Sequence, residues 1–208
     1  MILLYLLKLI DIIMRNVIIM AALLFSSASM FAQSASYATT VTDSRDGQVY
    51  KTVVIAGKTW MAQNLNYFSR NSWCYMNIDQ NCKKYGRTYS WFAVMNGQNR
   101  EKSQGICISG WHVPSSDEWN LLVNQYKKSK DLFVGGTSGF DMLFAGCRFS
   151  NASFDFENKA ASFWTSTSDS TSNEFATSFY GYSDQKAASL KSYQSGKMYG
   201  LYVRCVKN

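Results

Sequence analysis

Gly110-Trp111-His112-Val113-Pro114-Ser115-Ser116-Asp117-Glu118-Trp119 holds the chain's single histidine, its single proline and two of its six tryptophans. Ser115 and Glu118 stand three apart, the spacing at which each side chain satisfies a backbone N–H of the other at a helix start. Trp119, Leu122, Val123 and Tyr126 then fall at i, i+3, i+4 and i+7, a single apolar face. The stretch predicts a turn, set by Pro114, that feeds a helix. Trp111, His112, Pro114, Ser115, Glu118 and Trp119 are therefore assigned to a structural corner. A histidine between Trp111 and Val113 reads as packed, and capping accounts for Ser115 and Glu118, so none of the three is given catalysis.

Outward from this corner, the chain's ending alternates Tyr199, Leu201, Val203 and Cys205 with Gly200, Tyr202, Arg204 and Val206, which predicts a strand over 198–206. Asp43-Ser44-Arg45-Asp46-Gly47 is turn chemistry. The β-branched run 49–55, turned by Ala56-Gly57-Lys58 into Thr59-Trp60-Met61, predicts a hairpin. Residues 86–95 read as a short helix stopped by Asn96-Gly97. Further strands are expected at 140–149, 162–166 and 174–182. The fold class is α+β, a compact domain with two helices and short, mostly antiparallel strands, the last returning near the first. A chain of 208 residues suits one such domain. Aromatic residues make up 15% of it and are expected chiefly to fill the core between irregular segments.

The first 32 residues read as an export signal, with the apolar run 17–25 preceded by Arg15 and small residues leading to Ala32. Met14 is an alternative start. Lys8, Asp11 and Arg15 interrupt the apolar stretch and disfavour a spanning helix. No cysteine follows the run, so no lipid anchor is expected; contact with a membrane is expected only through the export signal. Residues 33–42 read as a flexible lead-in and 43–208 as the domain. Cleavage removes one unit of the net +7. The basic residues are scattered; Lys127-Lys128-Ser129-Lys130 is a cluster that a helix C-terminus explains. No nucleic-acid site is expected.

All five cysteines, Cys74, Cys82, Cys107, Cys147 and Cys205, follow the signal. In an exported chain they point to disulfides. Four paired cysteines can join in three ways. A local staple between Cys74 and Cys82 would leave Cys107 and Cys205 to tie the middle of the chain to its end, a loop closure worth about 4–5 kcal/mol in the chain-entropy account. Cys147 is the candidate free thiol. A lone histidine and the absence of a CxxC disfavour zinc. Asp169, Asn173 and Glu174 are oxygen donors in one stretch and are the candidates for calcium, against the competing reading of a solvated loop.

Residues 46–53, 59–66, 85–89, 110–114, Phe163-Trp164-Thr165-Ser166-Thr167 and Val203-Arg204-Cys205 together resemble the Fibrobacter succinogenes major paralogous domain, a family of exported or surface proteins common in Bacteroidetes and Fibrobacteres. Two positions depart from its pattern: Ile108 stands where a proline often follows the cysteine, and Cys147 where an aromatic is usual. The resemblance implies a fold similar to C-type lectin domains and to the formylglycine-generating enzymes, with termini close together. The family implies no settled activity.

The expected function is a secreted or cell-surface, non-catalytic binding module that contacts an extracellular glycan or a surface protein. A structural subunit of a surface assembly, such as a pilus tip, is the alternative. An enzyme of the formylglycine-generating kind is the third reading; it would need a cysteine pair near an active site, and its iron-dependent relatives need several histidines. No catalytic residue and no cofactor is assigned. Any binding surface is expected in the polar windows 150–175 and 182–197. For the cysteines, intact-mass measurement of the unfolded chain should find one alkylated thiol without reduction and five with it; none, or three, before reduction would overturn the pairing.

Overall fold

Ser115 Oγ accepts from Glu118 N at 3.3 Å and Glu118 Oε2 accepts from Ser115 N at 3.0 Å, so the expected capping box is formed. The computed structural model describes residues 37–126, 129–183 and 190–208. The export signal, the alternative start, residues 33–36 of the lead-in, Lys127-Lys128 and residues 184–189 of the second polar window lie outside the described residues.

Five antiparallel strands form the larger sheet. These are β1 (Tyr37–Thr42), β2 (Val49–Ile55), β3 (Lys58–Met61), β6 (Trp111–His112) and β12 (Val206–Lys207), in the order β1-β2-β3-β12-β6. β9 (Ala160–Ser168), β10 (Phe175–Tyr182) and β11 (Leu190–Gly196) make an antiparallel three-stranded sheet. Two ribbons pair β4 (Ser72–Trp73) with β5 (Thr88–Tyr89) and β7 (Ala145–Arg148) with β8 (Phe154–Glu157). The α-helices among the described residues are α1 (Asp79–Tyr85), α2 (Trp91–Met95) and α3 (Ser116–Gln125). The class is α+β, as the sequence pattern implies.

Several expectations are corrected. Three α-helices are present among the described residues rather than two, because α1 forms in a polar stretch that shows no apolar stripe. Residues 86–95 are not one helix: Thr88–Tyr89 is strand, and α2 starts only after Ser90, whose side chain accepts from Ala93 N. Residues 37–42, read as flexible lead-in, pair with β2. Residues 140–144 do not join a strand, and the polar windows contain β8, β9 and β11. The ending is not one continuous strand either. Residues 200–206 cross the molecule and bond a different element at nearly every step.

That crossing segment binds the fold together. Gly200 exchanges backbone bonds with Arg148, Leu201 with Tyr89, and Tyr202 with Ser162 and Trp164. Val203 O accepts from Leu65 N, Cys205 O from Met61 N, and Val206 pairs with Trp60 and His112. Every residue from Leu201 to Val206 is buried, on both faces, which is why alternation gave no inside and outside. The Cys107–Cys205 disulfide closes a separation of 98 residues, and Cys74–Cys82 one of 8. Cys147 is free and buried; burial pushes its thiol up to about 12, so it stays neutral and unreactive.

α3 delivers Trp119 to the centre of the core. Its ring meets Trp60 edge-on at 5.2 Å, lies 5.0 Å from Phe163 and stacks on Phe179 at 5.5 Å. Glu118, one residue earlier, is buried as a charge and is fully partnered. Lys58 Nζ approaches its carboxylate at 3.0 Å and His112 Nε2 donates at 3.1 Å. Burial alone would raise its carboxyl; the bonds from His112, Ser115 and Lys58 outweigh it and bring the value from 4.5 to about 2. Because the folded value is depressed, this stabilisation is complete above about 4.5 and is lost as pH falls from there through about 2. Glu118→Gln should lower stability at neutral pH by about 2 kcal/mol, the range for hydrogen bonds to a charged group. It should also flatten the acid limb of melting temperature against pH; an unchanged limb would assign the acid sensitivity elsewhere.

Candidate functional site

β2 and β3 present a hairpin whose continuation, Ala62–Asn66, runs beneath the C-terminal end of α1. Gly86 makes that approach possible. It has a φ of 79°, and a Cβ there would stand 2.8 Å from Asn64 Cβ and 2.9 Å from the Asn64 and Leu65 carbonyl oxygens. Glycine alone lets the helix end descend onto the run. Asn64 Nδ2 then donates to Tyr85 O at 2.8 Å, and Arg87 N to Leu65 O at 3.0 Å. The Cys74–Cys82 staple holds the other side of α1. Lys83 and Lys84 lie in its last turn, where they also complement the helix dipole.

Between these elements lies an open cleft of about 460 Å³, bordered by Lys51, Lys83 and Lys84, by the amides Gln48, Gln63 and Asn66, and by Tyr85. An adjoining groove of about 240 Å³ shares Lys84, Tyr85, Val134 and Leu143 with it and adds Phe133 and Phe144. The last two stack at 4.3 Å. Val134 is 59% exposed, a large apolar side chain facing water beside charged ones.

The amides are ordered. Asn66 Nδ2 donates to Gln48 Oε1 at 3.0 Å, and Gln48 Nε2 to Asn66 O at 3.2 Å. Tyr50, whose hydroxyl burial pushes up to about 12, accepts from Asn66 N at 3.0 Å. Gln63 Oε1 accepts from Lys51 N at 2.8 Å. Asn66 Oδ1 is buried and has no protein donor among the described residues. Lys84 Nζ stands 4.3 Å over the Tyr85 ring, and Tyr85 OH donates to Glu157 Oε1 at 2.7 Å.

Arg204 forms the floor. Its Nε donates to Asn64 Oδ1 at 2.9 Å, Nη1 donates to Phe140 O, and Nη2 donates to Asp141 O at 2.9 Å. The guanidinium lies over the Phe140 ring at 4.4 Å. Complete burial lowers it to about 9, so it stays charged at neutral pH without a carboxylate on it. The cleft lining holds four cations against the single carboxylate of Asp141.

Apart from Cys82, whose disulfide borders the cleft, the residues named from sequence lie elsewhere. Trp111, His112, Pro114, Ser115, Glu118 and Trp119 form the buried corner described above. Asp169 Oδ1 accepts from Thr171 N and Oγ1, both at 2.7 Å, and these bonds hold its carboxyl below the ordinary range; Glu174 N bonds Ser172 Oγ. Among the described residues no three His, Cys, Asp or Glu side chains gather as a metal site. Of the cleft residues, sequence reading missed Lys51, Lys83 and Lys84, for which the Lys83-Lys84 dyad is the only local signal.

Geometry and covalent framework define a disulfide-stapled α+β domain with a basic, amide-lined cleft. Two disulfides suit an oxidising compartment, and no helix among the described residues is long and apolar enough to cross a membrane. A model of the family described as Fibrobacter succinogenes major domain matches residues 53–135 and 132–207, and the chain belongs to that family. The two stretches are parts of one core: Cys107 in the first is bonded to Cys205 in the second, and Asn64 to Arg204. Searches of curated proteins and of solved structures return no match.

Arg204→Met would leave Asn64 Oδ1 and Phe140 O without a donor, at about 1–3 kcal/mol for each orphaned buried group. Arg204→Lys keeps the charge but not the planar fork and should recover less than half of that loss. Urea midpoints measure both; a lysine variant as stable as the parent would show that charge, not geometry, is what the floor requires.

Proposed function

We propose that this chain is an exported, non-catalytic binding module that presents its cleft to an extracellular glycan. The carrying observation is the lining itself, ordered amides and ammonium groups around about 460 Å³. It includes no histidine, and its cysteine, Cys82, is in a disulfide. Such groups exchange hydrogen bonds with hydroxyls and hold charge; they are poorly suited to attack or proton transfer near neutral pH.

The proposed fold kinship is with C-type lectin domains. What supports it is that the first and last strands among the described residues, β1 and β12, lie in one sheet, and that a long-range disulfide ties the domain's middle to Cys205, just before β12. Export by the first 32 residues is consistent with the two disulfides. Calcium has no part in the proposed mode, since the cleft binds through nitrogen donors and amides.

A glycan array probed with the mature chain, once with calcium and once with chelator, tests this. Binding should appear and should survive chelation. Loss on chelation would move the site to the Asp169 loop, and silence across the array would overturn the glycan reading.

A further inference from the structure

Three features of the cleft go unused by hydroxyl recognition alone. Lys51 from β2 and Lys83 and Lys84 from α1 border one volume from two separate elements, all three exposed. None of them is in an ion pair among the described residues, whereas Lys58, Arg45 and Glu118 are. Arg204 adds a fixed charge beneath them whose hydrogen bonds go to carbonyl and amide oxygens rather than to an anion. Such a concentration of one sign in a concave site draws a ligand of the opposite sign.

The amides beside them add a second kind of contact: Gln48, Gln63 and Asn66 border the same volume, and side-chain amides both donate to and accept from ligand hydroxyls. The adjoining groove offers a third kind of contact. Exposed Val134, with Leu143, Phe144 and the edge of Tyr85, gives an apolar wall continuous with the charged rim.

Resting on the glycan reading above, we infer that the cleft selects a saccharide bearing an anionic substituent, a carboxylate or a sulfate. The anionic group sits among Lys51, Lys83 and Lys84, hydroxyls meet the amides of Gln48 and Gln63, and the apolar face of a neighbouring sugar ring lies against Val134 and Leu143. Three lysines around a volume of about 460 Å³ match one or two charges. They do not form the extended stripe that tracks a nucleic-acid backbone.

Calorimetric titration of the mature chain with a galacturonic acid trisaccharide and with its carboxyl-reduced counterpart tests the carboxylate source. A heparin-derived disaccharide and its desulfated form test the sulfate source. One of the charged sugars should bind about tenfold or more tightly than its neutral partner, the range for charge-assisted hydrogen bonds. The difference should shrink as salt rises. Replacing Lys83 and Lys84 together by glutamine should abolish it while lowering the melting temperature by only a few degrees, since both side chains are exposed and lose little beyond their placement at the helix end. Lys207→Ala, an exposed cation outside the cleft, should leave it unchanged. Equal affinity for charged and neutral sugars would overturn the acidic selectivity while leaving the glycan reading intact. Tight binding indifferent to the glutamine variant would remove the cleft as the site, and no binding by any of the four sugars would overturn the inference, the array then deciding the broader reading separately.

Discussion

The guanidinium of Arg204 is the point on which the domain closes. It is fully buried in the last segment of the chain, yet its charge meets no carboxylate. A buried cation is tolerated only where dipoles and ring faces replace water. Here Asn64, the Phe140 and Asp141 carbonyls and the Phe140 and Phe163 rings do so. The partners come from the run after the first hairpin, from the loop before β7 and from β9. One side chain thereby fixes three parts of the chain that share no strand pairing with one another. The crossing segment around it does the same with its backbone, from Arg148 and Tyr89 through Ser162 to Leu65 and Met61.

This arrangement explains what could and could not be read along the chain. The capping box at Ser115 and Glu118 and the 49–61 hairpin are local in cause, and the structure contains both. The disulfide between Cys74 and Cys82 is local too, and once it forms the remaining pairing narrows. Residues 198–206 alternate as a strand should, but their partners are non-local and differ from residue to residue. Alternation then signals burial on both faces rather than a ladder. α1 shows no apolar stripe because its buried side is only Cys82 and Tyr85, and the disulfide and the Gly86 approach do the rest of the anchoring.

The candidate site was the least legible part. Lys51 and the Lys83-Lys84 dyad lie more than thirty positions apart in sequence, and their meeting depends on Gly86 letting the end of α1 down onto Asn64 and Leu65. That is a tertiary fact which composition registers only as a mild excess of positive charge. The polar windows at 150–175 and 182–197 looked more open to a ligand, but strands occupy much of them. In β11 that polarity marks a solvent-facing strand, whereas in β9 Ser162, Thr165 and Ser166 are buried and their hydroxyls belong to the core. Asp169, the best oxygen donor in those windows, is taken up by its own turn through Thr171.

Fold and cleft are largely separable in their electrostatics, which supports the proposal that the cleft is a site. The buried charges of the framework find partners within it: Glu118 in Lys58, His112 and Ser115, Asp43 in Arg45, Lys197 in the face of Trp91, and Arg204 in carbonyl oxygens and Asn64. None of them draws on Lys51, Lys83 or Lys84. If those lysines were needed for stability, one of the framework's carboxylates would be expected to hold them. They stand instead on the rim of a concave surface whose floor is rigid and positively charged. Beyond the end of α1 and the Tyr85 ring, stability places little constraint on their charge, which leaves it free for the ligand proposed above.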